Sequence, residues 1–559
     1  MPTDAKRSRR ERREERARPT APPVPVAGIP SPRRQRLQLG LAGLVAFFLL
    51  ASARLGSPDP WSYDEYYHLG IARQLAAHFP LRGSPWTPFS ILADHYADKE
   101  ILFHLLLLPF SGLPVATAGT LGALLGQLLL VAAFAWTLKR LRVPYAPLFL
   151  LGLAALGPLF VFRISMCRPH VFMVGFSVLV LGILLGGDPV PHPPTPSPHR
   201  PPFPPGEGET SRTRIGTGLA LCVVAALFGL THTAGWVAVA FAAVYAVAGW
   251  LVPGGADRRL LWRPLAWTAG GWLFGQLVHP NFPENFRLLW LQNAVVPFQS
   301  AGGGSAALAA VAGVELTPPG LGLLLEQWPA FLAPALALAL LFRYPPLRTR
   351  ATITTAILAT AFLLAGSLAF QRLLEVGAPL GLLALALVAT RAAENAPENP
   401  KARRDARPRG VGSVLWIAVL VLAGAALWTG DLVRSRGFGS TAPQDMARWL
   451  GENGRPGERV FTAQWGDSAP LLYYAPRLQS LVALDPTFFY VKDPALFTTY
   501  VDVALGKNAD PVSAIRDRFR AKYVTVWRMP VYAPLAARLA RDPRARLVYQ
   551  DGAYLIWAL

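Results

Sequence analysis

Apolar runs recur along the whole chain, near residues 37–55, 117–138, 145–162, 170–187, 215–232, 234–252, 264–279, 326–342, 350–368, 372–390 and 411–429. Each is about long enough to carry an α-helix across the roughly 30 Å hydrocarbon layer of a bilayer. Burying so many in water would require a core that a chain of this size cannot enclose. The composition agrees, with 52% hydrophobic and only 16% charged residues over 559 positions. The expected fold class is a polytopic α-helical membrane protein of about eleven transmembrane helices, followed by a small C-terminal α/β domain.

The basic residues set the orientation. Lys139, Arg140 and Arg142 follow the second run, Arg200, Arg212 and Arg214 the fourth, and Arg258, Arg259 and Arg263 the sixth. Arg343, Arg348 and Arg350 follow the eighth, and Lys401, Arg403, Arg404, Arg407 and Arg409 the tenth. Cationic loops are retained on the cytoplasmic side, so this alternation places the N-terminus inside and the C-terminal domain outside. The net charge of +21 is spent on such loops and not on a groove with interleaved aromatics, which argues against nucleic-acid binding. Cys167 and Cys222 have no CxxC or Cys/His spacing, so neither a zinc knuckle nor a disulfide scaffold is indicated.

Four regions follow. Residues 1–36 hold eleven Lys/Arg against four acidic residues and read as a disordered cytoplasmic tail. Residues 37–430 form the transmembrane domain, opening on an uncleaved first helix. Within it lie a first external loop at 56–116, a proline-rich cytoplasmic loop at 188–214 that reads as a linker, and an external loop at 280–325. Residues 431–559 alternate short helices (DMARWLGENG, PVSAIRDRFR, PLAARLAR) with short strands (ERVFTAQ, KYVTVWR, RLVYQ, AYLIWAL), the pattern of an exported α/β domain.

Candidate chemistry collects on the outer side. In the first external loop, Asp64, Glu65 and His68 open a helix whose i, i+3 and i+4 spacing brings one of the carboxylates onto the face of His68. A second cluster holds Asp94, His95, Asp98 and Glu100, with His104 one turn beyond. A carboxylate of the first cluster suits a general base, and Asp94, His95 and Asp98 suit a divalent cation, Mg or Mn. The bland alternative is that both clusters solvate interfacial helices among Trp61, Tyr63, Tyr66, Tyr67, Trp86 and Tyr96. Arg163, Arg168 and His170, between the third and fourth runs, stand on the side where cations are unusual, which points to a bound phosphate or to a carboxylate of the first loop. His279 opens the later external loop, and Arg372 and Glu375 form an i, i+3 pair at the outer start of the tenth run; ion pairing and phosphate binding by Arg372 stand level.

These features together resemble the C-type superfamily of polytopic membrane glycosyltransferases, which includes the oligosaccharyltransferase catalytic subunit, the protein O-mannosyltransferases and the aminoarabinose transferase of lipid A. The resemblance rests on a first helix, a long external loop with the acidic sequence Tyr63-Asp64-Glu65-Tyr66-Tyr67-His68, about a dozen spans and an exported C-terminal domain. It implies transfer of a hexosyl or pentosyl group from a polyprenyl-phosphate-linked donor to an acceptor on the periplasmic face of a bacterial inner membrane. Asp64 or Glu65 would be the catalytic carboxylate, and Arg372 a donor-phosphate ligand. The chain departs from the family in lacking a WWDYG-type motif, the nearest texture being Gln464-Trp465-Gly466-Asp467 and Leu484 to Tyr490, and in lacking a DxD in the second external loop. The acceptor and metal dependence therefore stay open. The rival readings are a transporter or flippase of a lipid-linked anion, disfavoured by the absence of repeated halves, and a non-catalytic envelope assembly protein.

Overall fold

In the computed structural model the described residues are 32–57, 59–186, 207–252, 262–299, 306–311, 313, 315, 317–395, 424–433, 441–482 and 485–559. The tail at 1–31, most of the proline-rich loop and most of the eleventh apolar run fall outside them.

Five helices among the described residues are long and apolar enough to cross a membrane: Arg33–Leu55, Val115–Arg140, Thr233–Leu251, Arg350–Leu368 and Gln371–Glu394. Shorter apolar helices at Pro169–Leu185, Ile215–Thr231 and Trp328–Arg343 coincide with further expected spans. Large apolar side chains such as Phe342, Leu364 and Leu368 are exposed on these helices, a surface suited to lipid and not to water. The chain is a multi-pass membrane protein. The helix from residue 371 to 394 is its hub, buried over 83% of its apolar window. Gly377 faces Leu363 and Gly381 faces Pro334, so small residues let neighbouring helices approach its backbone closely.

The third expected span, 145–162, is not one helix. Ala146–Ala155 and Pro158–Ile164 meet at 91°. Gly157 adopts φ +108, a conformation that side chains other than hydrogen rarely allow, and Pro158 cannot continue a helix begun before it. The Gln327 side chain accepts the Leu159 N–H at 2.9 Å and seals the break. This bend directs Arg163 toward the protein interior, against the hub helix.

The C-terminal domain is a five-stranded sheet in the order β2-β1-β3-β5-β4. The strands are β1 (Arg459–Thr462), β2 (Gln479–Ser480), β3 (Ala521–Trp527), β4 (Arg546–Gln550) and β5 (Tyr554–Ala558). Strand β1 runs parallel to β2 and β3, which requires the intervening helices, while β3, β5 and β4 are antiparallel. Asp551 Oδ1 accepts the N–H groups of Ala553 and Tyr554 and fixes the β4–β5 turn. Phe461, Phe489, Phe497, Tyr500 and Phe519 fill the core on one side of the sheet. The four expected strands are present; β2 and the helices Ser468–Tyr474, Thr487–Lys492 and Pro494–Ala504 are additional.

The domain docks on the first external loop. Helix Ser468–Tyr474 packs on helix Tyr63–Ala77, where Gly70 leaves room for Leu472. The Arg73 guanidinium donates to Tyr473 Oη at 2.5 Å, Gln444 donates to Tyr66 Oη at 2.9 Å, and Ser480 N donates to Trp86 O at 2.7 Å.

Candidate active site

A cavity of about 230 Å³ lies between the first-loop helix, the bent segment, the hub helix and the C-terminal domain. Helix Tyr63–Ala77 carries Asp64 and His68, one turn apart on a shared face, to its wall. Glu65, one residue on, points elsewhere. It is fully buried and forms a two-pronged pair with Arg54, with contacts of 2.9 and 3.0 Å, at the end of the first helix. Arg54 also donates to Thr120 Oγ1 at 3.1 Å. The expectation that Glu65 serves the reaction is thus corrected: its oxygens are consumed in tying the loop helix to two spans.

The arginines of the bend are paired with carboxylates. Arg163 Nε donates to Glu375 Oε2 at 2.7 Å, and its Nη1 donates to Glu315. Arg168 Nη1 donates to Glu315 Oε2 at 3.0 Å and its Nη2 pairs with Asp64. His170 Nε2 donates to the Arg163 carbonyl at 2.9 Å, fixing the turn. Arg372, also on the wall, has no ion pair or hydrogen bond among the described residues, and Glu315, Glu375 and Asp485 are the anions that act on it. Of the misplaced cations, Arg168 therefore meets a carboxylate of the first loop, Arg163 pairs instead with Glu315 and Glu375 from later in the chain, and Arg372 remains available to an anion. Glu315 was not anticipated. A lone acid in a glycine-rich loop has no periodic signal, and only the fold brings it to both arginines. Burial opposes its ionisation, but Arg168 and Arg163 hold it well below the usual carboxylate range.

The proposed metal ligands Asp94, His95 and Asp98 do not converge. Asp94 is exposed and pairs with Lys492 at 2.7 Å, His95 with Glu284 at 3.3 Å, and Asp98 with His104 at 2.8 Å. The irregular backbone between Ser90 and Glu100 turns successive side chains in different directions, so proximity in sequence is not proximity in space. His279 is not on the cavity wall either: its Nε2 donates to the Asp98 carbonyl at 3.0 Å and its Nδ1 accepts from Asn281 N at 3.1 Å, joining two external loops. Among the described residues, a close group of metal-ligand types is instead His68, Glu100 and His104. Burial, then the neighbouring His104, pushes His68 well below its ordinary pKa, leaving the imidazole neutral.

The C-terminal domain completes the wall with Trp465, Asp485 and Thr487, from the two stretches noted in the sequence as nearest to an acceptor motif. Beside them Tyr554 Oη donates to Asp467 Oδ1 at 2.7 Å, and the Tyr63 and Tyr554 hydroxyls are 3.3 Å apart. Burial pushes the Asp467 carboxyl up to about 8.

No family model and no curated protein matches the chain. Solved structures do. The archaeal oligosaccharyltransferase AglB from Archaeoglobus fulgidus, in complex with an inhibitory peptide and a dolichol-phosphate, superposes over 89% of this chain and 70% of its own, with a TM-score of 0.60 at 15% identity. ArnT from Cupriavidus metallidurans, bound to undecaprenyl phosphate, matches over 95% of this chain and 98% of its own, with a TM-score of 0.52 at 15% identity. The fold is that of the C-type glycosyltransferases. The arabinofuranosyltransferase AftD from Mycobacteria shares it over 94% of this chain but only 40% of its own, with a TM-score of 0.51 at 16% identity. In this C-type fold the first-loop helix, the bent segment and the exported domain all border one cavity.

Proposed function

We propose that the chain is a membrane glycosyltransferase that moves a sugar from a polyprenyl-phosphate-linked donor to an acceptor on the periplasmic face of a bacterial inner membrane. The observation that carries this reading is the meeting, in one cavity, of the Asp64 carboxylate with Arg168 and Arg372. The dolichol-phosphate bound to AglB and the undecaprenyl phosphate bound to ArnT support the donor class. A donor phosphate entering this cavity meets Arg372 without displacing a partner and competes with Asp64 for Arg168. Guanidinium suits it, since two parallel N–H groups match two phosphate oxygens.

Release of Asp64 from Arg168 would leave its carboxylate free to take a proton from an acceptor hydroxyl or amine. The acceptor oxygen or nitrogen attacks the anomeric carbon, the bond from that carbon to the phosphate oxygen breaks, and the polyprenyl phosphate leaves as an anion held by the arginines. The proton resides on Asp64 until solvent removes it. Positioning and charge compensation supply most of the acceleration, because phosphate is already a good leaving group once its charge is neutralised. Whether the sugar is a hexose or a pentose depends on a wall to which Trp465 and Thr487 contribute.

The test is transfer of labelled sugar from polyprenyl-phosphate donors in membranes holding the wild type or Asp64→Asn at equal abundance. Loss of transfer by about 100-fold or more is expected on removing a general base. Wild-type transfer by the variant would remove Asp64 from the reaction.

A further inference from the structure

Three ligand-type side chains, His68 and Glu100 on the cavity wall and His104 behind them, take no part in the transfer described above. The donor atoms of His68, Glu100 and His104 lie within 4.8 Å of one another, and all three residues are buried. His68 Nδ1 is 2.9 Å from His104 Nε2 and 4.0 Å from Glu100 Oε2. That Oε2 is buried and accepts no hydrogen bond among the described residues, whereas Lys99 Nζ stands 3.6 Å from the other oxygen, Oε1. A buried carboxylate oxygen left without a donor is more costly than a neutral polar atom left in the same state. Its retention beside two imidazoles calls for a positively charged occupant.

The second ring nitrogen of His104 points the same way. Its Nδ1 lies 2.8 Å from each oxygen of Asp98, so Nδ1 carries the hydrogen and Nε2 turns its lone pair toward His68. A carboxylate behind a histidine is the usual outer support of a metal-bound imidazole, fixing its tautomer and raising its basicity. Cavity charge supplies an independent argument. Among the described residues lining the cavity, Asp64, Glu100, Glu315, Glu375 and Asp485 stand against Lys99, Arg163, Arg168 and Arg372, an excess of one negative charge in a site that is to receive a phosphate. A doubly charged cation reverses that sign.

We propose that His68 Nδ1, Glu100 Oε2 and His104 Nε2 bind a divalent cation of the zinc class, with a further coordination position facing the cavity. Two nitrogens and one carboxylate favour Zn²⁺ over Mg²⁺, which prefers oxygen ligands and six-coordination. Nitrogens held at about 2.0–2.1 Å from a tetrahedral ion are roughly 3.3 Å apart, so the two rings need separate by only about 0.4 Å. Because His68 and Glu100 line the cavity, the open position faces the space where donor and acceptor meet. The His68 to His104 hydrogen bond is then the metal-free form of the same site.

The site is tested on the full-length protein in nanodiscs, carrying a tag without histidine, stripped with a chelator and given Zn²⁺ alone. Elemental analysis after dialysis should return about one zinc per chain, and Co²⁺ in its place should give the visible absorption of a four-coordinate site. Glu100→Gln and His104→Asn should lose the metal, while Asp98→Asn should weaken it about 10- to 100-fold with the visible spectrum kept. If His104→Asn does not fold by tryptophan-fluorescence melting, the nearly isosteric Glu100→Gln decides. No stoichiometric zinc in the wild type, or undiminished zinc in Glu100→Gln, overturns the proposal. The inference is separable from the transferase reading: zinc bound without sugar transfer leaves the site standing, and transfer by a chain that binds no zinc leaves the transferase standing.

Discussion

At the residue scale, the adjacent carboxylates Asp64 and Glu65 have opposite fates. Asp64 faces the cavity and is shared with Arg168; Glu65 is sealed against Arg54 with no exposed surface. Both were equally plausible in the sequence, because spacings of three and four residues each bring a side chain near His68. Only the position of Arg54 and Thr120 on neighbouring helices separates them. The two variants should therefore fail differently. Breaking a buried pair leaves an uncompensated charge, so Glu65→Gln and Arg54→Met should each lower stability by about 3–5 kcal/mol. The double variant Arg54→Met/Glu65→Leu, which buries no charge, should recover most of that loss. Melting temperatures in detergent check this; equal stability of the wild type and both single variants would refute the structural role of Glu65. Asp64→Asn, by contrast, should melt close to the wild type.

At the element scale, the loop helix Tyr63–Ala77 is held from two sides, by the first span through Arg54 and by the C-terminal domain through helix Ser468–Tyr474. Asp467 lies at the second of these junctions, its Oδ1 accepting from Tyr554 and its Oδ2 buried without a partner among the described residues. Burial raises its carboxyl from the ordinary 3.8 to about 8. The folded protein therefore keeps a proton there that the unfolded chain releases above about pH 4. Stability contributed by this group is full below that pH, declines by up to about 1.4 kcal/mol per unit as pH rises, and levels off above the folded value. Asp467→Asn should flatten this slope, which melting temperatures between pH 5 and 9 would reveal. An unchanged slope would place the titrating group elsewhere. The break at Gly157 belongs to this scale too. A Gly-Pro pair within an apolar run is a recognisable interruption, but its 91° bend is a consequence of packing against Gln327 and the hub helix.

At the scale of the whole molecule, the alternation of basic loops predicts an inside N-terminus and an outside C-terminal domain. The cavity lies at the face on which that domain docks, so orientation decides where the acceptor must be. In a background without Cys167 and Cys222, a cysteine placed at Asn508 should react with a membrane-impermeant thiol reagent in intact cells. One placed at Ser197, in the proline-rich loop, should react only after lysis. The reverse pattern would move the reaction to the cytoplasmic face.

Membrane residence, most of the helical spans and the α/β character of the last hundred or so residues were legible in the sequence alone. They depend on hydrophobic length, on charge next to helix ends and on two-residue alternation, all of which are local in the chain. The candidate cavity was legible only in its ingredients. Asp64, His68, Arg163, Arg168, Arg372 and Glu375 stood out as polar groups on the outer side. Glu315, the seclusion of Glu65 and the convergence of His68, Glu100 and His104 needed the fold. These are contacts between elements far apart in sequence, set by how bent and packed helices meet, and no pattern confined to one segment carries that information.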